Sequence, residues 1–308
     1  MSQLECKKAV VVNGSETGAK SNKSMNGKIC MVTGATSSIG EVTARELARL
    51  GATVIVVGRN AEKCAATTNM IKQQTKNQNV EFLLADLSSQ REIRRLAQQF
   101  RSRYEHLHVL INNAGAVFTR RKESVDGIEM TFAVNYLGYF LLTNLLLDIL
   151  QASVPSRIID VSADVEHHKV TKINFDDLQS KKKYRFWHVY MQTKLADWMF
   201  TYELAERLKG TQVTVNALHP GVLSSNLGMN NEGILPRIWR VIKPLVGVMM
   251  TSPEKGAQTV VYLATSPEMV NVTGEFFMKQ EAMKSYRAFL SRDTTGRLWH
   301  VSAELTGL

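Results

Sequence analysis

Seven short apolar runs, separated by longer stretches of helical periodicity, leave this 308-residue chain few folds to choose from. The runs are Ile29–Val32, Thr53–Val57, Val80–Leu84, Val109–Ile111, Ile158–Val161, Val213–Ala217 and Glu275–Met278. Between them, stretches such as Glu41–Leu50, Arg91–Phe100 and Leu195–Leu208 carry apolar residues at three- and four-residue intervals. Strand, helix, strand in repetition predicts an α/β architecture, a doubly wound parallel sheet of about seven strands with helices on both faces. The runs are apolar at consecutive positions, as strands covered on both sides require. Residues 1–26 are polar apart from Ala9–Val12 and read as a flexible N-terminal extension. No linker or internal repeat divides the rest of the chain, so residues 27–308 are expected to form a single domain.

The formal net charge of +10 asks for an anionic partner or a solvated face. The cations gather in three clusters: Arg91, Arg94 and Arg95; Arg120, Arg121 and Lys122; and Lys181, Lys182, Lys183 and Arg185. No nucleic-acid module accompanies them, which excludes that partner class. A solvated surface is the simpler reading and a peripheral contact with membrane headgroups the second. Cys6, Cys30 and Cys64 are too few and too scattered for a disulfide framework or a zinc site. A reducing, cytoplasmic setting is expected. The first thirty residues lack the apolar core of a signal peptide, and no stretch is suited to span a bilayer.

The most specific signal comes directly after the first run. Thr33-Gly34-Ala35-Thr36-Ser37-Ser38-Ile39-Gly40 leads straight into the helix Glu41–Leu50. Glycines at a strand-to-helix turn let the backbone approach a pyrophosphate, whose charge the helix N-terminus stabilises. A tight turn needing only positive φ is the bland alternative, and the strand–turn–helix context weighs against it. The second run ends in Val57-Gly58-Arg59-Asn60, with no carboxylate to take a ribose 2′-hydroxyl and with Arg59 placed for a 2′-phosphate. That favours NADP(H). Asp86, after the third run, is either an acceptor for an adenine amino group or a cap on the next helix.

Thr33–Gly40, Asp86-Leu87, Asn112-Asn113-Ala114-Gly115, Asn135, Tyr190-x-x-x-Lys194 and Pro220-Gly221 stand in the motif order of the short-chain dehydrogenase/reductase superfamily, which the chain resembles from about Lys28 onward. Asp126-Gly127, Val134–Phe140, His219-Pro220-Gly221, Gly256-Ala257-Gln258-Thr259 and Arg297-Leu298-Trp299 are similar to its retinol-dehydrogenase-like branch. The resemblance implies a Rossmann fold and cofactor contacts from Gly34, Thr36, Ser37, Ser38, Ile39 and Gly40. It implies others from Arg59, Asn60, Asp86, Leu87, Asn113, Ala114 and Gly115, and from Pro220, Gly221, Val222 and Ser225. Ser38 stands where the superfamily has its middle glycine, which puts a side chain near the phosphates.

The chemistry implied is hydride transfer between a hydrophobic alcohol and its aldehyde or ketone. Tyr190 and Lys194 are four apart on a predicted helix and so share a face. A nearby ammonium favours phenolate and suits Tyr190 to general acid–base work. By resemblance, Lys194 also holds the nicotinamide ribose and Asn135 supports a proton relay through water. The serine that usually bonds the substrate oxygen is displaced. Ile158-Ile159-Asp160-Val161-Ser162-Ala163-Asp164 puts Ala163 at its position by one count and Asp164 by another. Ser162 is either the substitute donor or turned away by strand alternation. His167 and His168 lack metal partners at suitable spacing, so no metal is expected. The apolar stretch Ile234–Met250 reads as part of a substrate lid over about 223–252, as an interfacial segment, or as an ordinary packed helix. The implied partner is a small hydrophobic substrate, with a homodimer left open. A cofactor-binding protein without redox turnover is the competing reading, resting on Ala163.

Overall fold

The computed structural model describes residues 24–221, 251–283 and 290–308. Its strands are β1 (Ile29–Thr33), β2 (Thr53–Gly58), β3 (Val80–Leu84), β4 (Val109–Asn112), β5 (Ser156–Val161), β6 (Val213–His219), β7 (Phe276–Met278) and the short β8 (Glu281–Ala282). They form one sheet in the order β3-β2-β1-β4-β5-β6-β7-β8. All neighbours are parallel except β7 and β8. The seven expected strands are present; β8, a two-residue antiparallel edge, is additional.

Alternation divides each strand between two cores. Cys30, Val32, Val54, Val56, Ile111, Ile159 and Leu218 face a layer made by α1 (Ser38–Arg49), α2 (Ala61–Thr75) and Pro253–Thr265. Met31, Ile55, Val57, Leu110, Ile158 and Ala217 face the other layer, which holds α3 (Gln90–Arg101), Gly138–Leu145, Phe186–Arg207 and Arg292–Thr306. Numbered along the chain, the helices after α3 are α4 (Met130–Phe132), α5 (Gly138–Leu145), α6 (Leu147–Ala152), α7 (Phe186–Arg207), α8 (Pro253–Thr265) and α9 (Arg292–Thr306). Burial on both faces is why the strand sequences lack a polar side.

Two boundaries differ from the sequence expectation. Met25, placed in the extension, is buried in the α1-side core, and its N–H donates to the Leu50 carbonyl at 2.8 Å. Helix α7 starts at Phe186, nine residues before the stretch in which the periodicity is legible. Between α4 and α5 the chain makes a π-helical turn, Ala133–Leu137, with Asn135 at its centre.

Candidate active site

Because β1 to β6 are parallel, their carboxyl ends share one edge of the sheet. The order reverses between β1 and β4, the position where such sheets open a crevice for a ligand. The turn after β1 is built for close approach. Gly34 has φ +63°, and a Cβ there would lie 2.7 Å from the Ala114 Cα. One on Gly40 would lie 2.5 Å from both Asn113 Nδ2 and the Gly34 carbonyl. Asn113 locks the β4 loop onto this turn: its Nδ2 donates to the Thr33 carbonyl, and its N–H to Thr33 Oγ1, both at 2.8 Å. The Ala114 N–H shares that hydroxyl at 3.1 Å, which carries Gly115 along with it.

Ser38 also has positive φ, +53°, a conformation that costs a non-glycine residue roughly 1 kcal/mol. Its Oγ is buried with no hydrogen-bond partner. The Ser37 side chain makes no cap on α1, so the first amides of the helix, at Ser38 and Ile39, are not spent on it. A hydroxyl without a partner and an uncapped helix start, beside glycines that tolerate no Cβ, fit a phosphate-bearing cofactor. Thr36 leans against the end of β2, where a Cβ on Gly58 would be 2.9 Å from its Cγ2. Arg59 comes next, exposed to solvent. Asn60 is already engaged: its Oδ1 caps α2 by accepting from the Lys63 N–H at 2.8 Å. Asp86 Oδ1 accepts from the N–H and the hydroxyl of Ser88, while the cap of α3 is Ser89, so Asp86 shapes the turn and does not cap the helix. Leu87 is buried beneath it.

On the α7 side, Tyr190 and Lys194 are both buried. Lys194 Nζ donates to the Val161 carbonyl at 2.9 Å and to Asp197 Oδ2 at 2.8 Å, and lies 5.9 Å from the Tyr190 ring centre. Two of its three protons are spent, leaving one for a ligand. Burial alone pushes the Lys194 ammonium down, but Asp197, Tyr190 and Asp160 outweigh it and the net direction is up. Burial also pushes the Tyr190 phenol up; Lys194 opposes that and Asp197 reinforces it. Asn135 has no free amide proton. Its Nδ2 donates to the Ala116 carbonyl and Thr193 Oγ1, and its Oδ1 accepts from the Ala116 N–H. The π turn thereby clamps the β4 loop to α7, and the Asn135 side chain is committed to that clamp.

Ser162 departs from the role of carbonyl donor. The β5–β6 ladder runs without a bulge, and the Ser162 N–H continues it by donating to the Leu218 carbonyl. Its side chain therefore faces α7, and its single proton goes to the Lys194 carbonyl at 2.7 Å. A hydroxyl has one proton to give, so none remains for a substrate oxygen. The residue after it, Ala163, has none either.

Sequence reasoning missed an acid pair behind the lysine. Asp160 accepts from Asn112 Nδ2 at 2.8 Å and from Thr201 Oγ1 at 2.7 Å, and burial raises it to about 6. Asp197 is raised to about 8 by burial, with Lys194 opposing, and its Oδ1 has no partner. Both were findable: Asp160 is a charge inside an apolar strand, and Asp197 is three residues from Lys194 on one helix. His219, whose buried Nδ1 also lacks a partner, closes the site at the end of β6. Pro220 and Gly221 come after it, and a Cβ on Gly221 would be 2.6 Å from Thr251 Oγ1, so the two flanks of residues 222–250 meet. Val222, Ser225 and nearly all of the expected lid lie outside the described residues. Among the described residues no group of His, Cys, Asp or Glu forms a metal site.

A parallel sheet with a glycine turn at its reversal point and a Tyr–Lys pair on the facing helix defines a dinucleotide-dependent oxidoreductase. The sequence matches the short chain dehydrogenase family over residues 28–233, and the chain belongs to that family. Within it the chain falls in the retinol-dehydrogenase-like branch. It is 42% identical to human (Homo sapiens) retinol dehydrogenase 13, over 97% of this chain and 91% of that protein. It is 39% identical to mouse (Mus musculus) retinol dehydrogenase 12, over 93% and 89%. Human polyprenol dehydrogenase is also 39% identical, over 91% and 86%. Among solved structures, an uncharacterized protein from Mycobacterium Paratuberculosis superposes with a TM-score of 0.70 at 29% identity, covering 92% of this chain and 95% of that one. The Pseudomonas aeruginosa RhlG/NADP active-site complex gives 0.64 at 26%, covering 83% and 96%.

Proposed function

We propose that this protein is an NADP(H)-dependent oxidoreductase that interconverts a hydrophobic alcohol with its aldehyde or ketone, with Tyr190 as general acid and base. The observation that carries this reading is the Tyr190–Lys194 arrangement. Tyr190 is buried, among the described residues no protein group bonds its hydroxyl, and the adjacent ammonium keeps one proton unspent. The chemistry that a bound nicotinamide would supply here is hydride donation or acceptance. Tyr190 gives its proton to the developing alkoxide in reduction and takes it back in oxidation. Lys194 favours the phenolate by its charge, and its remaining proton would be available to hold a ribose hydroxyl of the cofactor. Asn135 and the π turn hold both against the β4 loop.

NADP(H) over NAD(H) rests on Arg59 at the end of β2, on the lack of a carboxylate there, and on the NADP named for one structural neighbour. Ser38, Gly34 and Gly40 would hold the pyrophosphate, and Asp86 the adenine side. The relatives' names, retinol and polyprenol dehydrogenase, support a long isoprenoid-type alcohol as substrate. The non-redox reading retains one supporting observation, the committed proton of Ser162.

Reduction of aldehydes of graded chain length, monitored by NADPH and NADH consumption, tests the reading. Wild type should turn over with NADPH preferred. Tyr190→Phe should bind the cofactor yet be inactive. Arg59→Ala should lose about 10-fold or more of the NADPH preference, as expected for a charge-assisted bond worth roughly 1.5–3 kcal/mol. Full activity in Tyr190→Phe would exclude the mechanism, and equal use of both cofactors by wild type would exclude the cofactor assignment.

A further inference from the structure

Of the three cationic clusters in the sequence, one has two of its three arginines tied to neighbouring groups, and the fold brings the other two clusters together. Arg94, on α3, donates to the Thr306 and Gly307 carbonyls at the end of α9, and Arg95 pairs with Glu92. The segments around Arg120 and Lys181 lie 61 residues apart in sequence but are tied in space. The Tyr184 hydroxyl donates to the Phe118 carbonyl at 2.7 Å, and Arg121 Nε donates to the Gln179 carbonyl at 3.1 Å. Arg120, Lys181, Lys182, Lys183 and Arg185 are all exposed around this junction. Asp177, the nearest carboxylate in sequence to the lysines, accepts from the backbone N–H groups of Lys181 and Lys182, which shapes the loop.

The next two residues are Phe186 and Trp187, 42% and 46% exposed. They are the only aromatics among the exposed large hydrophobic residues of the described chain. An isolated exposed apolar residue needs no explanation, but two adjacent aromatics beside a run of cations do. The pair also adjoins the site. Trp187 lies 5.5 Å from the Tyr190 ring, ring centre to ring centre, and 5.3 Å from His168.

We propose that this surface, formed by Arg120, Lys181, Lys182, Lys183, Arg185 and the pair Phe186–Trp187, docks the protein on an anionic lipid bilayer with the mouth of the site toward the membrane. Three features select lipid over an acidic protein. The cations are mainly lysines on a loop, which suit a diffuse negative surface better than bidentate carboxylate recognition. Phe186 and Trp187 offer the apolar body and, in Trp187, the polar N–H that settle at a headgroup boundary. Their place one helical turn from Tyr190 gives a lipid-dissolved substrate a short route to the site. Docking does not depend on the redox reading, because it is measured without turnover.

The test uses the full chain and sedimentation with vesicles of phosphatidylcholine, with and without phosphatidylserine. Wild type should bind the phosphatidylserine vesicles and be released by raised salt, because exposed charges are screened within about 8–10 Å. The variant Lys181→Gln, Lys182→Gln, Lys183→Gln should bind on the order of 100-fold more weakly, at about fivefold per cation. Its NADPH binding and melting temperature should match wild type, which separates lost docking from lost folding. Phe186→Ala with Trp187→Ala should weaken binding further and abolish the blue shift of tryptophan emission on docking. Equal binding to both vesicle types, no binding to either, or an unchanged triple-glutamine variant would each overturn the proposal. So would retention on a soluble polyanion without vesicle binding, which would assign the surface to an acidic macromolecule.

Discussion

Lys194 has three protons to give, and two of them are already placed on Val161 and Asp197. The carboxylate of Asp197 offsets the field by which the ammonium would favour the Tyr190 phenolate. Burial raises Asp197 to about 8, so under the proposed mechanism the offset is largest above that pH, where oxidation of an alcohol would draw on the phenolate. Asp197→Asn keeps the shape and removes the charge. The pH profile for alcohol oxidation should move to lower pH, and an unchanged profile would show that Asp197 acts only as packing. Ser162 gives a second prediction. Its proton is on the Lys194 carbonyl, so Ser162→Ala should cost about 1 kcal/mol of stability by denaturant titration, with turnover changed less than about tenfold. Ala163→Ser, adding a hydroxyl beyond the strand, should raise turnover, by up to about 10²-fold if it reaches the carbonyl. A 10²-fold loss in Ser162→Ala would return that residue to the substrate. The glycine turn and the Tyr190–Lys194 pair could be read from local spacing, whereas Asn113 and Asn135 could be read only through the resemblance to the family. The direction of the Ser162 hydroxyl was not, because it depends on how a one-residue displacement after β5 is absorbed.

At the scale of elements, strand positions were legible to within one or two residues, since burial on both faces leaves an uninterrupted apolar run. The start of α7 was not. From Val189 to Thr201 every residue is buried, so the amphipathic period that marks a helix is absent where the helix matters most. The π turn at Asn135 carries no sequence period at all. One strand junction has a measurable consequence. His108 precedes β4, and its Nδ1 accepts from the Ile29 N–H at the start of β1, at 3.1 Å. Burial, with smaller contributions from Lys28 and His106, lowers His108 to about 4. The unfolded chain takes up this proton near pH 6.5, and the folded chain only near 4. The junction's contribution is therefore complete above about 6.5 and is lost as pH falls toward 4. Allowing for partial exposure, that loss should be about 2 kcal/mol. His108→Asn keeps an acceptor and removes the titration, so stability measured across this range should fall less steeply in the variant. Equal slopes would place the proton uptake elsewhere.

For the whole molecule, the question is whether a second copy can use the outer face of α5 and α7, because the chain's own α9 already covers it. Leu298 is buried there, and Trp299 packs edge-on to Phe140 at 4.9 Å and stacks on Phe200 at 5.8 Å. Arg207 lies 4.2 Å over the same indole. Polar ties close both ends of the helix: Tyr136 Oη and Ser302 Oγ at 2.7 Å, Arg292 to Glu206 at 2.8 Å, and Gln90 to the Leu305 carbonyl at 2.8 Å. A homodimer through this face would have to displace all of these contacts. The full chain should therefore not associate through it. Leu298→Ala should lower stability by about 2–5 kcal/mol, the usual cost of emptying a buried leucine site. A chain stopped after Ser291 would expose Phe140, Phe200 and the α7 face as one apolar patch, and such patches self-associate. Sedimentation velocity on the full and shortened chains, at matched concentrations, reads the difference. Self-association confined to the shortened chain supports α9 as an internal substitute for a partner subunit. A full-length dimer that the Trp299→Ala substitution disrupts would mean that α9 instead helps to build an interface between copies.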